Sequence, residues 1–209
     1  MPVLIVTMDL EAIFCASSST DSDKDTARLL AAVVTAALVV LTAPSAHAQI
    51  EGYAPYQRES TCSPRVKPGT AVLGQWIVRT QGGALGGMSR PCSASDSGHE
   101  EGRALDWTLD ATRARDRRIA DRFLTRVRAT DEAGDDDAEA RRMGIMYVIW
   151  NDRMYRSYDR GFAQQEYLSG SCRSTGSCSR TLRHRDHMHI SLSWAGARGR
   201  TSWYDGRLD

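Results

Sequence analysis

The sequence predicts a small α+β domain, and three patterns support that fold class. Residues 145–150 form a short apolar run rich in β-branched and aromatic side chains, which is typical of a strand. Residues 112–130 instead repeat apolar side chains every three to four positions, as a helix does. Helices and strands follow one another without the regular strand–helix–strand order of a parallel sheet, so the α+β class is favoured.

The first 48 residues have the composition of a secretory signal peptide rather than of a folded domain. Lys24 and Arg28 precede the apolar run 29–41, and Ala46-His47-Ala48 is a small-x-small cleavage site. The apolar run is too short to span a bilayer comfortably, so we favour a cleaved leader over an uncleaved membrane anchor. We expect a signal peptide over residues 1–48, a linker over 49–60 and a single domain over 61–209.

The expected mature chain is modestly basic. Of the 27 basic and 26 acidic residues, 25 and 21 remain after residue 48, which gives a net charge of about +4. The remaining length is sufficient for one hydrophobic core. We expect a secreted protein, extracellular or associated with an anionic cell wall.

Four cysteines remain in the expected mature chain, and an even count in an exported protein predicts two disulfides. Three pairings are open to sequence reasoning. We favour Cys172–Cys178, which closes a short serine- and glycine-containing loop, together with Cys62–Cys92. A second zinc site is the alternative, but no C-x-x-C spacing supports it.

The first half of the domain contains one ambiguous element and one clear helix. Residues 75–79 are an apolar run too brief to distinguish a strand from a helix, and residues 81–87 form a flexible glycine-rich connection. Within 112–130, apolar side chains recur every four positions from Ile119 to Val127. Arginines lie between them, and because aspartates dilute their charge we favour a solvated face over a nucleic-acid-binding face.

The second half predicts a short helix and antiparallel strands. Acidic residues begin the segment 135–142, basic residues end it and Gly144 follows, so helix polarity explains the acidic run better than a calcium loop does. The strand 145–150 is followed by an Asn-Asp turn and pairs with 153–156 as a hairpin. Residues 187–193 alternate, which predicts a strand with one polar face and one core face.

Four of the five histidines lie in two short segments. Residues 97–106 read SxHxxGxAxD, and residues 184–189 read HRDHMH. His99, Asp106 and His189 supply two imidazoles and one carboxylate, the ligand set of a catalytic zinc site with one open position. A glycine between the first two predicts a turn that lets both side chains converge. The sequence therefore predicts one Zn²⁺ ion on these three residues.

A zinc hydrolase also needs a proton acceptor and a partner for the developing oxyanion. His187 shares a strand face with His189 and is the first candidate for the base, or for the group that stabilises the oxyanion. Asp186, three residues before His189, is the second candidate for the base. The candidates for substrate contacts are His184, Arg79 and Arg90.

These motifs resemble those of the LAS metallopeptidases, which include the D-Ala-D-Ala dipeptidases and carboxypeptidases, the penicillin-insensitive murein endopeptidase and the hedgehog signalling domain. The first family motif is matched at Ser97, His99, Gly102, Ala104 and Asp106, and the closing H-x-H at His187 and His189. The resemblance implies a hedgehog/D,D-peptidase-like fold with a central antiparallel sheet and flanking helices. It also implies zinc bound by the two imidazoles and the carboxylate named above.

The resemblance also concerns which residue would act as the catalytic base. Many members place glutamate where Asp186 stands, whereas the endopeptidase branch has histidines at the positions of His187 and His184. Residues 140–151 and 187–196 further resemble a group of secreted actinobacterial proteins that share this domain. That second resemblance covers roughly residues 60–209.

Motifs, export signal and resemblance together predict a secreted zinc peptidase that hydrolyses peptidoglycan peptide bonds, next to D-amino acids. The expected partners are peptidoglycan stem peptides, with no nucleic acid, no membrane after cleavage of the leader, and a monomeric chain. The alternative is a non-catalytic, metal-containing module that binds the cell wall. A metal-dependent nuclease is disfavoured because no nucleic-acid-binding motif accompanies the histidines.

Overall fold

A computed structural model describes residues 50–93, 96–159 and 161–208. The predicted signal peptide, residues 1–48, lies outside the described residues. The described residues all belong to one compact unit. None of the helices among them combines the length and the hydropathy that crossing a bilayer requires.

A six-stranded antiparallel sheet forms the centre of the domain, as the α+β prediction requires. Its strands in chain order are β1 (Ala84–Leu85), β2 (Ala104–Thr108), β3 (Ile145–Trp150), β4 (Arg153–Arg156), β5 (Gln164–Glu166) and β6 (Met188–Leu192). Their order in the sheet is β1-β2-β6-β3-β4-β5. The last strand of the chain therefore lies between β2 and β3, where both of its edges are paired.

The predicted alternation of β6 is confirmed. Met188, Ile190 and Leu192 are fully buried in the hydrophobic core. His189 and Ser191 lie on the opposite face, because successive side chains of a strand alternate. The sheet thus has one face that carries the core and one that carries polar groups.

Among the described residues, four helices accompany the sheet, namely α1 (Pro68–Gln81), α2 (Ala114–Val127), α3 (Ala138–Met143) and α4 (Trp194–Ala197). The same part of the chain contains 3₁₀ turns at Thr175–Ser177 and Ser202–Tyr204. The apolar stripe of α2 packs into the core through Ile119, Phe123 and Val127, in agreement with its predicted period. The predicted helix at 135–142 begins three residues later and ends at left-handed Gly144.

Two predictions for the first half are refined by the structure. The ambiguous run 75–79 is helical and belongs to α1, which begins with a proline in its first turn, where a missing N–H costs nothing. The glycine-rich segment 81–87, expected to be a flexible connection, contains β1, which pairs with β2.

Both favoured disulfides are present, Cys62–Cys92 and Cys172–Cys178. Residues 50–60, the described part of the predicted linker, contain no helix or strand but pack against the domain. A fully buried Arg103 donates to the carbonyl of Gln57 at 2.7 Å and pairs with Glu101. This arginine therefore anchors the N-terminal segment to β2.

Candidate metal centre

Three separate elements deliver His99, Asp106 and His189 to one point. Asp106 in β2 lies directly opposite His189 in β6 in the antiparallel register. His99 lies in the turn that precedes β2, and this turn closes with Gly102 N–H donating to the His99 carbonyl at 3.2 Å. The predicted arch between the first two residues is thus present.

Gly102 is required in this turn for two physical reasons. Its φ of +64° is in the left-handed region, which residues with a Cβ atom rarely adopt. An added Cβ would also lie 2.7 Å from the carbonyl carbon of Arg65 and closer still to its oxygen. The glycine therefore fixes the path of the backbone that carries His99.

The three potential ligand atoms form a nearly equilateral triangle. His99 Nε2 lies 3.1 Å from Asp106 Oδ1 and 3.2 Å from His189 Nδ1, and the last two atoms are 3.0 Å apart. Ligand atoms of a tetrahedral zinc site with bonds of about 2.0–2.1 Å are separated by about 3.3 Å. The spacing therefore fits the predicted metal closely.

The donor chemistry also fits a cation. His189 Nε2 lies 3.0 Å from the hydroxyl of Ser191, so an N–H at that position leaves the lone pair of Nδ1 directed at the triangle. Acceptor atoms this close repel one another unless a proton or a cation lies among them. Both histidines of the triad are buried, with 2% and 7% of His99 and His189 exposed, so bulk water does not relieve that repulsion.

The charge states follow from the surroundings. Burial would raise the pKa of Asp106, but hydrogen bonds with His189 and His99 outweigh it and hold the pKa far below its usual range. Burial lowers the pKa of His189. The triad therefore presents an ionised carboxylate and a neutral imidazole at neutral pH, which are the forms that bind metals.

The triad opens into a cavity of about 320 Å³. The described residues that line this cavity also include Glu59, Arg90, Tyr147, Tyr167, His184 and His187. Two larger cavities, of about 690 and 470 Å³, contain none of the three triad residues. Volume alone therefore does not locate this site; the converging ligand atoms do.

His187 lies beside the triad and is held by Asp186. Its Nε2 is 3.7 Å from Asp106 Oδ1, and its Nδ1 is 2.7 Å from Asp186 Oδ1. Asp186 also accepts a hydrogen bond from Thr181 at 2.6 Å and is not among the described residues that line the cavity. This placement fits Asp186 as the partner that orients His187, rather than as the second candidate base.

His184 adopts a left-handed φ of +50° and contributes a fourth imidazole to the cavity wall, beside those of His99, His187 and His189. Burial, followed by the charges of His189 and His187, lowers the pKa of His184 to about 3. Its ring is therefore neutral near pH 7. The Nδ1 atom is buried and has no hydrogen-bond partner among the described residues.

The two arginines predicted to contact substrate have different surroundings. Arg90 is exposed at the cavity, and its backbone N–H donates to the His99 carbonyl at 3.1 Å. Arg79 is exposed in the last turn of α1 and does not line the cavity in the described structure. The structure therefore does not bring Arg79 to the cavity with the triad, since α1 packs into the core through Leu73 and Ile77.

Sequence reasoning missed Glu59 and Tyr147. Tyr147 stacks on His189, with ring centroids 5.6 Å apart and an interplanar angle of 21°. Its place opposite Ser191 in the sheet is a consequence of strand register, which the pattern alone did not supply. Glu59 lies 40 residues before His99, and the sequence around it contains no local signal of a site.

Fold and site together define a small disulfide-containing α+β domain with a candidate His-Asp-His metal centre. The chain belongs to the family described as VldE, C-terminal domain, whose model matches residues 62–175, more than half of the sequence. The match includes His99 and Asp106 and ends before His189. No curated protein matches the chain, and no solved structure does.

Proposed function

We propose that this protein is a secreted zinc peptidase of the hedgehog/D,D-peptidase fold that hydrolyses peptidoglycan peptide bonds next to D-amino acids. The observation that carries the proposal is the convergence of His99, Asp106 and His189 within 3.2 Å of one another. The matched LAS motifs supply the reaction class. The two disulfides agree with an oxidising, extracytoplasmic location.

The metal supplies Lewis acidity: Zn²⁺ polarises a carbonyl and lowers the pKa of a water molecule towards 7. The chain contributes an ionised Asp106 and the lone pairs of two imidazoles, which would hold the ion. Burial of the triad strengthens every electrostatic interaction at this point. A tetrahedral ion on these three ligands would have one position for water or for the scissile carbonyl.

His187 is the proton acceptor in this proposal. Asp186 accepts the Nδ1–H of the ring, so the lone pair on Nε2 is directed towards the cavity. A proton that Nε2 takes from the attacking water produces an imidazolium, which Asp186 stabilises through the same hydrogen bond. The ring then returns that proton to the leaving amine.

Substrate recognition uses the cavity wall on either side of the triad. Arg90 offers a guanidinium to a peptide carbonyl or carboxylate, and the neutral ring of His184 forms part of the cavity wall. The short cavity and the exposed Leu182 at its edge suit a small cross-linking peptide better than a folded protein.

The test is digestion of defined muropeptides by the exported, zinc-loaded protein, followed by mass spectrometry. We expect wild type and the control Arg79→Ala to release products, and His187→Ala to be slower by about 10²–10⁴-fold. The control is apt because Arg79 is exposed and lies outside the cavity. Intact muropeptides of several cross-link types, with zinc bound, would refute the peptidase. Retention on insoluble peptidoglycan in that case would favour the wall-binding module.

A further inference from the structure

We propose that a second cavity, beside the one that holds the triad, binds a carboxylate of the peptide substrate, so that the protein prefers acidic peptides. This cavity, which we call the arginine cavity, has a volume of about 690 Å³, and its lining includes Arg117, Arg183 and Arg185. Cavities of about 300–1,000 Å³ are typical of sites for small ligands. The inference rests on the proposed peptidase and names the class of peptide that it prefers.

The two cavities are neighbours. Tyr167 belongs to the wall of both. Its ring packs edge-on against the ring of His184, with centroids 5.1 Å apart, and the His184 ring lies 5.7 Å from the ring of His189. Tyr167 therefore contacts a residue that itself contacts the triad. A peptide with its scissile bond at the triad can extend past Tyr167 into the arginine cavity.

One short segment supplies residues to both cavities. His184 lines the cavity with the triad, whereas Arg183 and Arg185 on either side of it line the arginine cavity. The turn between β3 and β4 fixes this segment: Asn151 N–H donates to the carbonyl of His184 at 2.8 Å, and Asp152 N–H donates to that of Arg183 at 3.1 Å. The backbone thus sets the position of each cavity relative to the other.

Four of the charged residues that line the arginine cavity compensate one another. Arg183 donates two hydrogen bonds of 2.8 Å to the carboxylate of Asp152. Arg153 lies 3.1 Å from Glu166. These two ion pairs add no net charge to the cavity.

The remaining charges are two cations, Arg117 and Arg185, and one anion, Asp121. Asp121 is exposed on α2 and forms no ion pair among the described residues. Arg185 is half-buried, and within the same part of the chain no hydrogen bond or ion pair engages its guanidinium. Neither full hydration nor a protein carboxylate compensates this charge, so an anion is favoured beside it.

Both arginines are anchored to the backbone of Ala111. Arg117 Nη1 donates to the Ala111 carbonyl at 2.8 Å, and Ala111 N–H donates to the carbonyl of Arg185 at 2.8 Å. A guanidinium has five N–H donors, so Arg117 retains four after this bond. Guanidinium groups bind carboxylates through paired N–H donors. Two arginines tied to one backbone point therefore offer a preorganised carboxylate site.

The arginine cavity also has apolar surface, which favours a peptide over an inorganic anion. Tyr155, Tyr167 and Leu168 line it, and Leu168 is 47% exposed. The arginines bind the carboxylate, and the apolar side chains contact the aliphatic part of the peptide that joins it to the scissile bond. A small anion has no such part and gains nothing from these contacts.

The experiment measures dissociation constants by isothermal titration calorimetry. The probes are peptides built around one D-Ala-D-Ala bond, with a single glutamate at one of three positions on either side, each paired with its glutamine form. The protein is the exported, zinc-loaded chain with His187→Ala, which keeps the peptides intact during the titration. We expect at least one glutamate peptide to bind about 10-fold more tightly than its glutamine form, because a charge-assisted hydrogen bond is gained.

Adding Arg185→Gln should abolish this preference, whereas the control Arg118→Gln should retain it. Arg118 also carries a positive charge, but it is exposed on α2 and does not line the arginine cavity. Circular dichroism shows whether each variant folds. Arg117→Gln, which should also weaken the preference, carries the test if Arg185→Gln does not fold.

Equal affinity of the glutamate and glutamine forms at every position would overturn the inference. A preference that survives in both folded arginine variants would do the same. If acetate binds in an Arg185-dependent way but no peptide shows a preference, the site holds free anions and is not part of substrate binding. If the preference depends on Arg185 but zinc-loaded wild type cleaves none of the peptides, the carboxylate site stands and the peptidase proposal fails. If wild type cleaves them without preference, the peptidase stands and this inference fails.

Discussion

Replacing Gly102 by alanine should damage the domain far more than the same change at Gly134. Both glycines have a left-handed φ, +64° and +88° respectively, so each alanine incurs a conformational cost of about 1–2 kcal/mol. At Gly134 a Cβ meets nothing within 4 Å, so that cost is the whole effect. At Gly102 the added Cβ would clash with the backbone of Arg65.

This clash determines how much less stable Gly102→Ala should be than Gly134→Ala. Backbone on both sides must shift, and overpacking of this kind costs a further 1–3 kcal/mol, roughly. For a domain of this size, 1 kcal/mol corresponds to about 2–4 °C in Tm. Gly102→Ala should therefore melt about 2–12 °C below Gly134→Ala. It should also bind zinc more weakly, because the displaced turn carries His99.

Thermal unfolding by circular dichroism, with and without zinc, measures both effects in one experiment. Gly134→Ala should gain as much Tm from added zinc as wild type does, whereas Gly102→Ala should gain less. Equal Tm values and equal zinc responses for the two variants would show that the turn does not position His99 as described.

Two further predictions concern stability. Removing Cys62–Cys92 by paired serine substitutions should lower Tm more than removing Cys172–Cys178, because the sequence separations are 30 and 6, and loop entropy assigns about 3.7 and 2.3 kcal/mol. A reversed order of Tm would contradict that entropic account. Burial and a carboxylate partner raise the pKa of Tyr53 to about 12, so its contribution to stability should be lost as pH rises from 10 to 12. Urea unfolding of Tyr53→Phe should show a smaller fall over that range, and an identical fall in both proteins would refute the assignment.

Periodic patterns predicted three of the strands that form the sheet. The strands Ile145–Trp150 and Arg153–Arg156 coincide with the predicted hairpin, and β6 shows the predicted alternation. These segments are long enough for side-chain periodicity to report burial directly. Their prediction therefore needed no knowledge of distant contacts.

Elements that depend on tertiary pairing were not predictable in the same way. The two-residue strand β1 exists because Ala84 and Leu85 pair with β2. The glycine-rich sequence around these two residues gives no local signal of that pairing. The run 75–79 became helical within a longer helix, whose proline start lies seven residues upstream. Short apolar segments do not contain enough periods to decide between strand and helix.

The candidate site likewise contains residues that motif spacing predicted and residues that only tertiary contacts bring there. The triad was visible because histidine and aspartate occur at motif spacing and one ligand lies on an alternating strand. Glu59 reaches the site through contacts with Tyr147 and Arg103, which lie 88 and 44 residues further along the chain. Arg79 is not brought to the cavity in the described structure, and residue type alone does not fix the direction in which a helix presents a side chain.

The most direct measurement of the central claim is the metal content of the purified protein. Dialysis against limiting Zn²⁺ followed by elemental analysis should give one ion per chain for wild type and for the control Asp110→Asn, whose carboxylate lies outside the cavity. Asp106→Asn should retain far less, because the triad loses its only charged ligand. Equal zinc content in wild type and Asp106→Asn, or none in wild type, would contradict a metal centre built from these three side chains.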